Sequence, residues 1–475
     1  MGRVGRGDAV GLAETRVRDS SQMGMVFDLG TGSTLGAASG PLRTMRATSG
    51  DYSAVEHFLC AQLCQIPTVD FQDQLEIPEG NTGQRLLLKQ DERIVGHVHL
   101  RFREVSWGKS RLLTCRFGAL DLLPEYRTPL VITTLLREIE YIVRERRAVL
   151  VQADLADVSQ RGSFPAWPSN WLTTSGFERF EANPRALLAE IAIRAEAASP
   201  FHQMEYSKSC KATRIRPFRQ IELTALMKIY RSHESTGFGF LKRTEGYWQW
   251  LVRRSTDAQI LVAIDHRQSR GINQRGGKLV AYAVIVGNEI LEILSDPENV
   301  IATEQLLARI CADGMEQNFR TLCLPTADRS NRLTELYAAT SATNEVQKTK
   351  IQRAGIACVP SVKLLVRRLS PEFISRWRMT QSADVEALGW GSGERACRLL
   401  FTEKGARLVD GAAGPDRLIC AQQIWIRLLI GELNAPTAFA ANLLEASTPH
   451  ARRLAEILFP ELPVWRTAWD NFINI

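Results

Sequence analysis

The segment from Leu120 to Leu136, LDLLPEYRTPLVITTLL, places a carboxylate, an arginine and a helix start close together. Asp121 sits on a predicted strand that stops at Pro124. Arg127 lies in the tight turn, and a helix is predicted from Leu130 to Arg146. A helix N-terminus presents unpaired backbone N–H groups and the positive end of a dipole, so such a turn can bind phosphate. The turn also holds Pro129 and Leu130 where glycine would let a ligand come close to the backbone. Proline starts a helix well but has no N–H to donate. The same residues also read as a plain strand–turn–helix, with Asp121 a pairing or solvent-facing strand residue. Tyr126 adds a phenol inside the turn.

The rest of the composition narrows the classes. The chain has 475 residues, which predicts roughly three domains at about 150 each. It is 45% hydrophobic and 23% charged, as soluble globular proteins are. No apolar run is long enough for a membrane span. The first residues lack the apolar core of a signal peptide, so a cytoplasmic protein is expected. Net charge is +7, but the basic residues are scattered, which argues against a nucleic-acid module. Nine cysteines without regular spacing read as reduced thiols. His97 and His99 alternate on a strand with no further ligand near them in sequence, so no metal site is expected.

These residues need elements to position them. Residues 1–41 are rich in Gly, Ser and Thr and read as a disordered extension. A strand near Leu42 and a helix from Asp51 to Gln65 follow. Then come strands at 85–89 and 93–100, a long strand from Leu112 to Leu123, the helix from Leu130, and strands at 148–152 and before Phe180. Residues 189–210 read as a helical linker. A similar order recurs: strand 211–217, helices 218–233 and 246–252, strands 260–264, 278–286 and 289–295, helix 301–317 and strand 321–324. One architecture is used twice. The C-terminal third predicts short strands at 396–401 and 406–409, then helices at 420–430, 435–444 and 449–458, which suit either an apolar pocket or a packed core.

Taken in order, LLPEYR before the first helix, GYWQWL in the second copy, and FPELPVW with DNF near the end resemble the Eis-like (enhanced intracellular survival) acetyltransferases of the GNAT superfamily. The resemblance spans about residues 42–475. It implies an α/β (α+β) fold with tandem GNAT-like mixed-sheet domains at 42–200 and 205–370, and a small sterol-carrier-protein-like domain at 375–475. It also implies that Leu120, Asp121 and Leu122 pair with the pantetheine arm of acetyl-CoA. Arg127, Thr128, Val131, Ile132 and Thr133 would belong to the pyrophosphate turn, whose family signature is Arg/Gln-x-x-Gly-x-Gly/Ala; the two small-residue places hold Leu130 and Ile132. The family's acid is a tyrosine in a Gly-Tyr pair, matched here by Gly176-Phe177, which has no hydroxyl. Its base is the C-terminal carboxylate after an aromatic residue; Phe472 matches the aromatic, and the carboxylate here is on Ile475.

Two functions are open on these grounds. The first is an acetyl-CoA-dependent N-acetyltransferase acting on an amine of a small molecule or protein, weakened by the degenerate turn. Asp121 is its candidate base, and Thr173, Thr174 and Ser175 could hold a water near the lost phenol. The second is a catalytically inactive GNAT-fold binding protein, suggested by Pro129, Leu130 and Phe177. The family's multimeric habit makes a homo-oligomer an expectation. In the second copy, LEILSDPENVIATEQLLARI carries Asp296 and Glu298 at the matching turn, where carboxylates repel a pyrophosphate.

Overall fold

The computed structural model describes residues 15–19, 22–27, 41–62, 77, 84–117, 121–154, 188–192, 213–254, 257–266, 277–319, 321–325, 348–349, 355–380, 387–390, 397–402, 405–411, 414–462 and 469–470. They fall into two compact units, one drawn from 1–102, 115–179 and 356–360, the other from 103–114, 180–355 and 361–475.

In the first unit the sheet runs β1 (Thr15–Asp19), β2 (Gln22–Phe27), β3 (Leu42–Arg46), β4 (Gln84–Gln90), β5 (Arg93–Trp107) and β6 (Ser110–Phe117). The short β7 (Asp121–Leu122) pairs with β5, while β8 (Leu150–Asp154) and a strand at Gly355–Cys358 (β17 in chain order) extend the sheet beyond β6. Strands β1 and β2 form an antiparallel hairpin inside the stretch expected to be disordered. Strand β5 continues seven residues past the Leu100 predicted as its end. Its final residues, with the start of β6, belong to the second unit.

Helix α1 (Tyr52–Glu56) runs into a π-turn at His57–Gln62, and α2 (Pro129–Glu145) follows β7. Leu135, Leu136, Ile139, Ile142 and Val143 of α2 are all buried. Their three- and four-residue spacing is what makes this sequence an amphipathic helix. Gly96 on β5 stands opposite Leu122 on β7. A Cβ there would lie 2.5 Å from the end of the Leu122 side chain and 3.1 Å from Leu88 Cβ, so a larger residue would require both neighbours to shift.

The second unit carries two sheets. The larger is built from β9 (Leu188–Ala192), β10 (Thr213–Pro217), β12 (Gln259–Asp265), β13 (Lys278–Val286), β14 (Glu289–Ser295), β15 (Thr321–Pro325) and β16 (Lys348–Thr349), in the order β10-β12-β13-β14-β15-β9-β16. The intervening β11 (Phe238–Leu241) pairs instead with the end of β5, at Trp107 and Val105. β9 corrects the helical linker expected from residue 189: it pairs antiparallel with β15 from Leu188↔Pro325 to Ala192↔Thr321.

Helices α3 (Leu223–Glu234), α4 (Glu245–Arg254) and α5 (Val300–Glu316) complete the region around this sheet. Leu261, Val280, Ile290, Ile293, Leu306 and Ile310 belong to one buried cluster that joins its strands to α5.

Helix α6 (Val362–Trp377) runs through 370–375, where a domain boundary was predicted. Pro371 lies inside it. Its Glu372 accepts the Lys109 N–H at 2.8 Å and the Arg376 Nε–H at 3.0 Å. Gly108 adopts φ +57°, and any Cβ there would collide with Glu372.

The smaller sheet contains β18 (Ala387–Trp390), β19 (Cys397–Thr402), β20 (Gly405–Asp410), β21 (Arg417–Ile419) and β22 (Glu445–Ala446). Helices α7 (Gln422–Leu429), α8 (Ala435–Ala440) and α9 (Pro449–Leu458) accompany it. α8 ends before the predicted Leu444. Asn442 turns left-handed at φ +56°, and the Leu443 N–H closes on the Ala438 carbonyl at 2.9 Å.

Candidate functional site

In the first unit, β4, β5 and β7 place three polar side chains in a row. Residue pairs Leu87↔His97 and Arg85↔His99 join β4 to β5, and His97↔Asp121 joins β5 to β7. Arg85, His97 and Asp121 are all buried. His97 Nδ1 lies 3.0 Å from Asp121 Oδ2, and Arg85 Nη1 lies 3.0 Å from His97 Nε2. Burial pushes the His97 ring below its ordinary pKa; Asp121 opposes this and Arg85 adds to it. Burial also brings the Arg85 guanidinium down to about 10, against the pull of Tyr52 and Asp121. Both nitrogens of His97 are therefore engaged. Among the described residues no group of three or more His, Cys, Asp or Glu could hold a metal ion.

The chain leaves β7 through a 3₁₀ turn at Pro124–Tyr126 and enters α2. Arg127 Nε donates to the Leu122 carbonyl at 3.1 Å, which folds the arginine back on the strand. Tyr126 donates its hydroxyl to Gln90 Oε1. Burial raises the Tyr126 phenol, and Glu125 adds to the effect.

Thr128 is the N-cap of α2: its hydroxyl accepts the Val131 N–H at 3.4 Å, and its carbonyl accepts the Ile132 N–H at 3.1 Å. Pro129 has no N–H, and Leu130 is 42% exposed. Thr134 donates to the Leu130 carbonyl at 2.8 Å. This helix start caps the Val131 N–H with its own side chain and presents a leucine to solvent.

The turn before α5 in the second unit is closed by its own side chains. Asp296 accepts a bond from Lys278 Nζ at 2.7 Å and one from the Glu298 N–H at 3.3 Å. Burial works against its ionisation, but these donors outweigh it and hold the carboxyl below its ordinary value. The Asp296 carbonyl accepts the Asn299 N–H at 2.7 Å.

Sequence reasoning missed a second polar centre in this unit. Arg243 donates to Glu292 at 2.9 and 2.6 Å and to Asp470 at 3.0 and 2.8 Å. Tyr282 donates to Glu292 at 2.6 Å. The Arg243 guanidinium also lies 4.2, 4.7 and 5.1 Å from the ring centres of Tyr230, Trp248 and Trp469. Burial opposes the charge on Arg243, but Asp470 and Glu292 overcome it and keep the group cationic. The signals in sequence were the tryptophans of GYWQWL and the aspartate of DNF, neither of which announces an arginine partner.

Of the predicted site residues, the structure brings Asp121 and Leu122 onto β7 and Arg127, Thr128, Val131, Ile132 and Thr133 into the adjoining turn and first helical turn. Leu120, Thr173, Thr174, Ser175, Gly176, Phe177, Phe472 and Ile475 lie outside the described residues.

No protein-family model matches the sequence, and no curated protein matches it. Solved structures do. A protein of unknown function from Enterococcus faecalis V583, described as a probable N-acyltransferase, is 14% identical with a TM-score of 0.59, over 88% of this chain and 97% of that one. A GCN5-related N-acetyltransferase from Kribbella flavida is 13% identical with a TM-score of 0.57, over 88% and 96%. Eis1 from Mycobacterium abscessus is 12% identical with a TM-score of 0.52, over 90% and 98%. At such identities the similarity is one of fold: across most of its length the chain has the mixed α/β fold of these solved structures.

Proposed function

We propose that the first unit is an acetyl-CoA-dependent N-acetyltransferase with a weakly held donor. The observation that carries this reading is that β7, Asp121–Leu122, pairs with β5 and leads through the turn at Pro124–Tyr126 into the N-terminus of α2. A thioester beside Leu120–Leu122 would stand next to the Asp121 carboxylate. In the reaction the amine gives a proton to Asp121 and its nitrogen bonds to the acyl carbon. The carbon–sulfur bond then breaks, and the departing thiolate takes a proton from water. Arg127 and the backbone from Thr128 to Thr133 would face the pyrophosphate. The co-substrates are acetyl-CoA and an amine, and a cytoplasmic, homo-oligomeric protein accords with the reading.

The second reading is a non-catalytic acyl-ligand or partner-binding protein on the same fold. The Thr128 cap and the exposed Leu130 favour it, because they take donors and space from a phosphate. We also propose that the larger sheet of the second unit is a degenerate second GNAT-like domain and that the smaller sheet with α7–α9 is the sterol-carrier-like part. Calorimetric titration with acetyl-CoA and coenzyme A tests the first reading. Binding of both, with acyl transfer to an amine panel, supports it; binding without transfer supports the second.

A further inference from the structure

We propose that His97 is the positioning residue of Asp121, locked by Arg85 as the neutral tautomer whose Nδ1–H points at the carboxylate. The inference rests on the acyl-transfer reading of Asp121. Its ground is donor inventory. A guanidinium has donors and no acceptor. With Arg85 Nη1 at 3.0 Å, His97 Nε2 must offer its lone pair. The ring proton then sits on Nδ1, 3.0 Å from Asp121 Oδ2. The bonds run one way across three strands, from Arg85 on β4 through His97 on β5 to Asp121 on β7.

This direction assigns the chemistry. His97 cannot receive the amine's proton at Nε2, because Arg85 occupies that lone pair. It cannot receive it at Nδ1, which already carries hydrogen. The proton stays on Asp121. One carboxylate oxygen is fixed by the imidazole, so the plane of the base is set before an amine arrives. Orientation of this kind is how a supporting side chain lowers a barrier without touching substrate. The charged and titratable groups acting on the ring are Arg85 and Asp121, and Tyr52 on α1 acts on Arg85 in turn. His99, next on the same side of β5, accepts from Arg101 Nε at 3.4 Å.

The first test needs no substitution. Carbon and nitrogen NMR of the histidine rings in the full chain, with His97→Asn used to assign the signal, reads the tautomer. A neutral Nδ1–H ring at pH 7 is the expected result; an Nε2–H or doubly protonated ring overturns the proposal. The second test is the kcat-against-KM split of acyl transfer. In His97→Leu kcat should fall by about tenfold with KM for the amine little changed, because the base is no longer held in line. His97→Asn, whose amide N–H can stand in for Nδ1–H, should restore kcat toward that of the parent. An unchanged kcat in a folded His97→Leu overturns the positioning role while the acyl-transfer reading stands. Full activity in Asp121→Asn overturns the base assignment, and the role of His97 in catalysis with it.

Discussion

Arg243 and Glu292 form a two-bonded ion pair in which both side chains are fully buried. Asp470 adds a second carboxylate to the same guanidinium, and three aromatic rings surround it. Two residues distant in sequence are held at one point by one arginine. Breaking such a pair by removing one partner leaves a buried charge alone and costs about 3–5 kcal/mol. Glu292→Gln and Arg243→Met should each lower unfolding stability by that order, read as a shift of the urea midpoint. The double variant Arg243→Met with Glu292→Gln should lose less than the sum of the two single losses.

The same centre predicts a pH dependence of known sign. Burial, aided by Glu292, raises the Asp470 carboxyl above its ordinary value, although Arg243 pulls the other way. The folded state therefore binds a proton more readily than the unfolded chain. Stability from this group is full below the unfolded pKa and is lost as pH rises through the folded one. Asp470→Asn cannot lose it. Relative to the parent, the stability of Asp470→Asn should rise as pH increases from about 4 through the folded pKa, by denaturant titration at several pH values. A constant difference across that range would show that Asp470 titrates at an unshifted pKa.

For the donor site, the double change Pro129→Arg with Leu130→Gly restores an N–H and removes the leucine side chain. One hydrogen bond to a charged group is worth roughly 1.5–3 kcal/mol, or about one to two decades in binding constant. Coenzyme A should bind at least about tenfold tighter by calorimetry, despite some helix loss from the glycine. A folded double variant that binds no better than the parent would show that the turn is not a degraded phosphate cradle.

Thr128→Ala separates capping from binding. Losing the cap should cost about 1 kcal/mol of stability. Because the Thr128 hydroxyl occupies the Val131 N–H, coenzyme A affinity should hold or rise. A clear fall in affinity would place the hydroxyl itself on the ligand.

Hydrogen exchange locates the site. Adding coenzyme A should protect amides at 121–133. Asp296, tied to Lys278, makes 296–303 a poor anion site. Protection there instead would reverse the assignment.

Much of the fold was legible because periodicity follows burial. Strands Lys278–Val286 and Glu289–Ser295 and helix Pro449–Leu458 match the residues predicted for them. Turn chemistry marked their ends. Leu188–Ala192 misled because Leu, Ala and Glu favour a helix, while pairing with β15 makes the segment a strand. Of the site, Asp121 and the turn were readable as a local pattern. The links from Arg85 to His97 and from Arg243 to Glu292 and Asp470 were not, because no local pattern encodes partners that meet only across strands or from distant parts of the chain.

Glu372 gathers the Lys109 amide and the Arg376 guanidinium, and Arg376 in turn donates to the Leu458 carbonyl at 2.6 Å. Arg111 likewise pairs with Glu234. The tip of the β5–β6 hairpin is therefore structural material of the later unit, although Arg111 precedes Glu234 by 123 residues and Lys109 precedes Glu372 by 263. A polypeptide beginning at 205 would take the Lys109 amide from Glu372, Arg111 from Glu234 and from β11 the edge it pairs to. A cut there divides one compact unit.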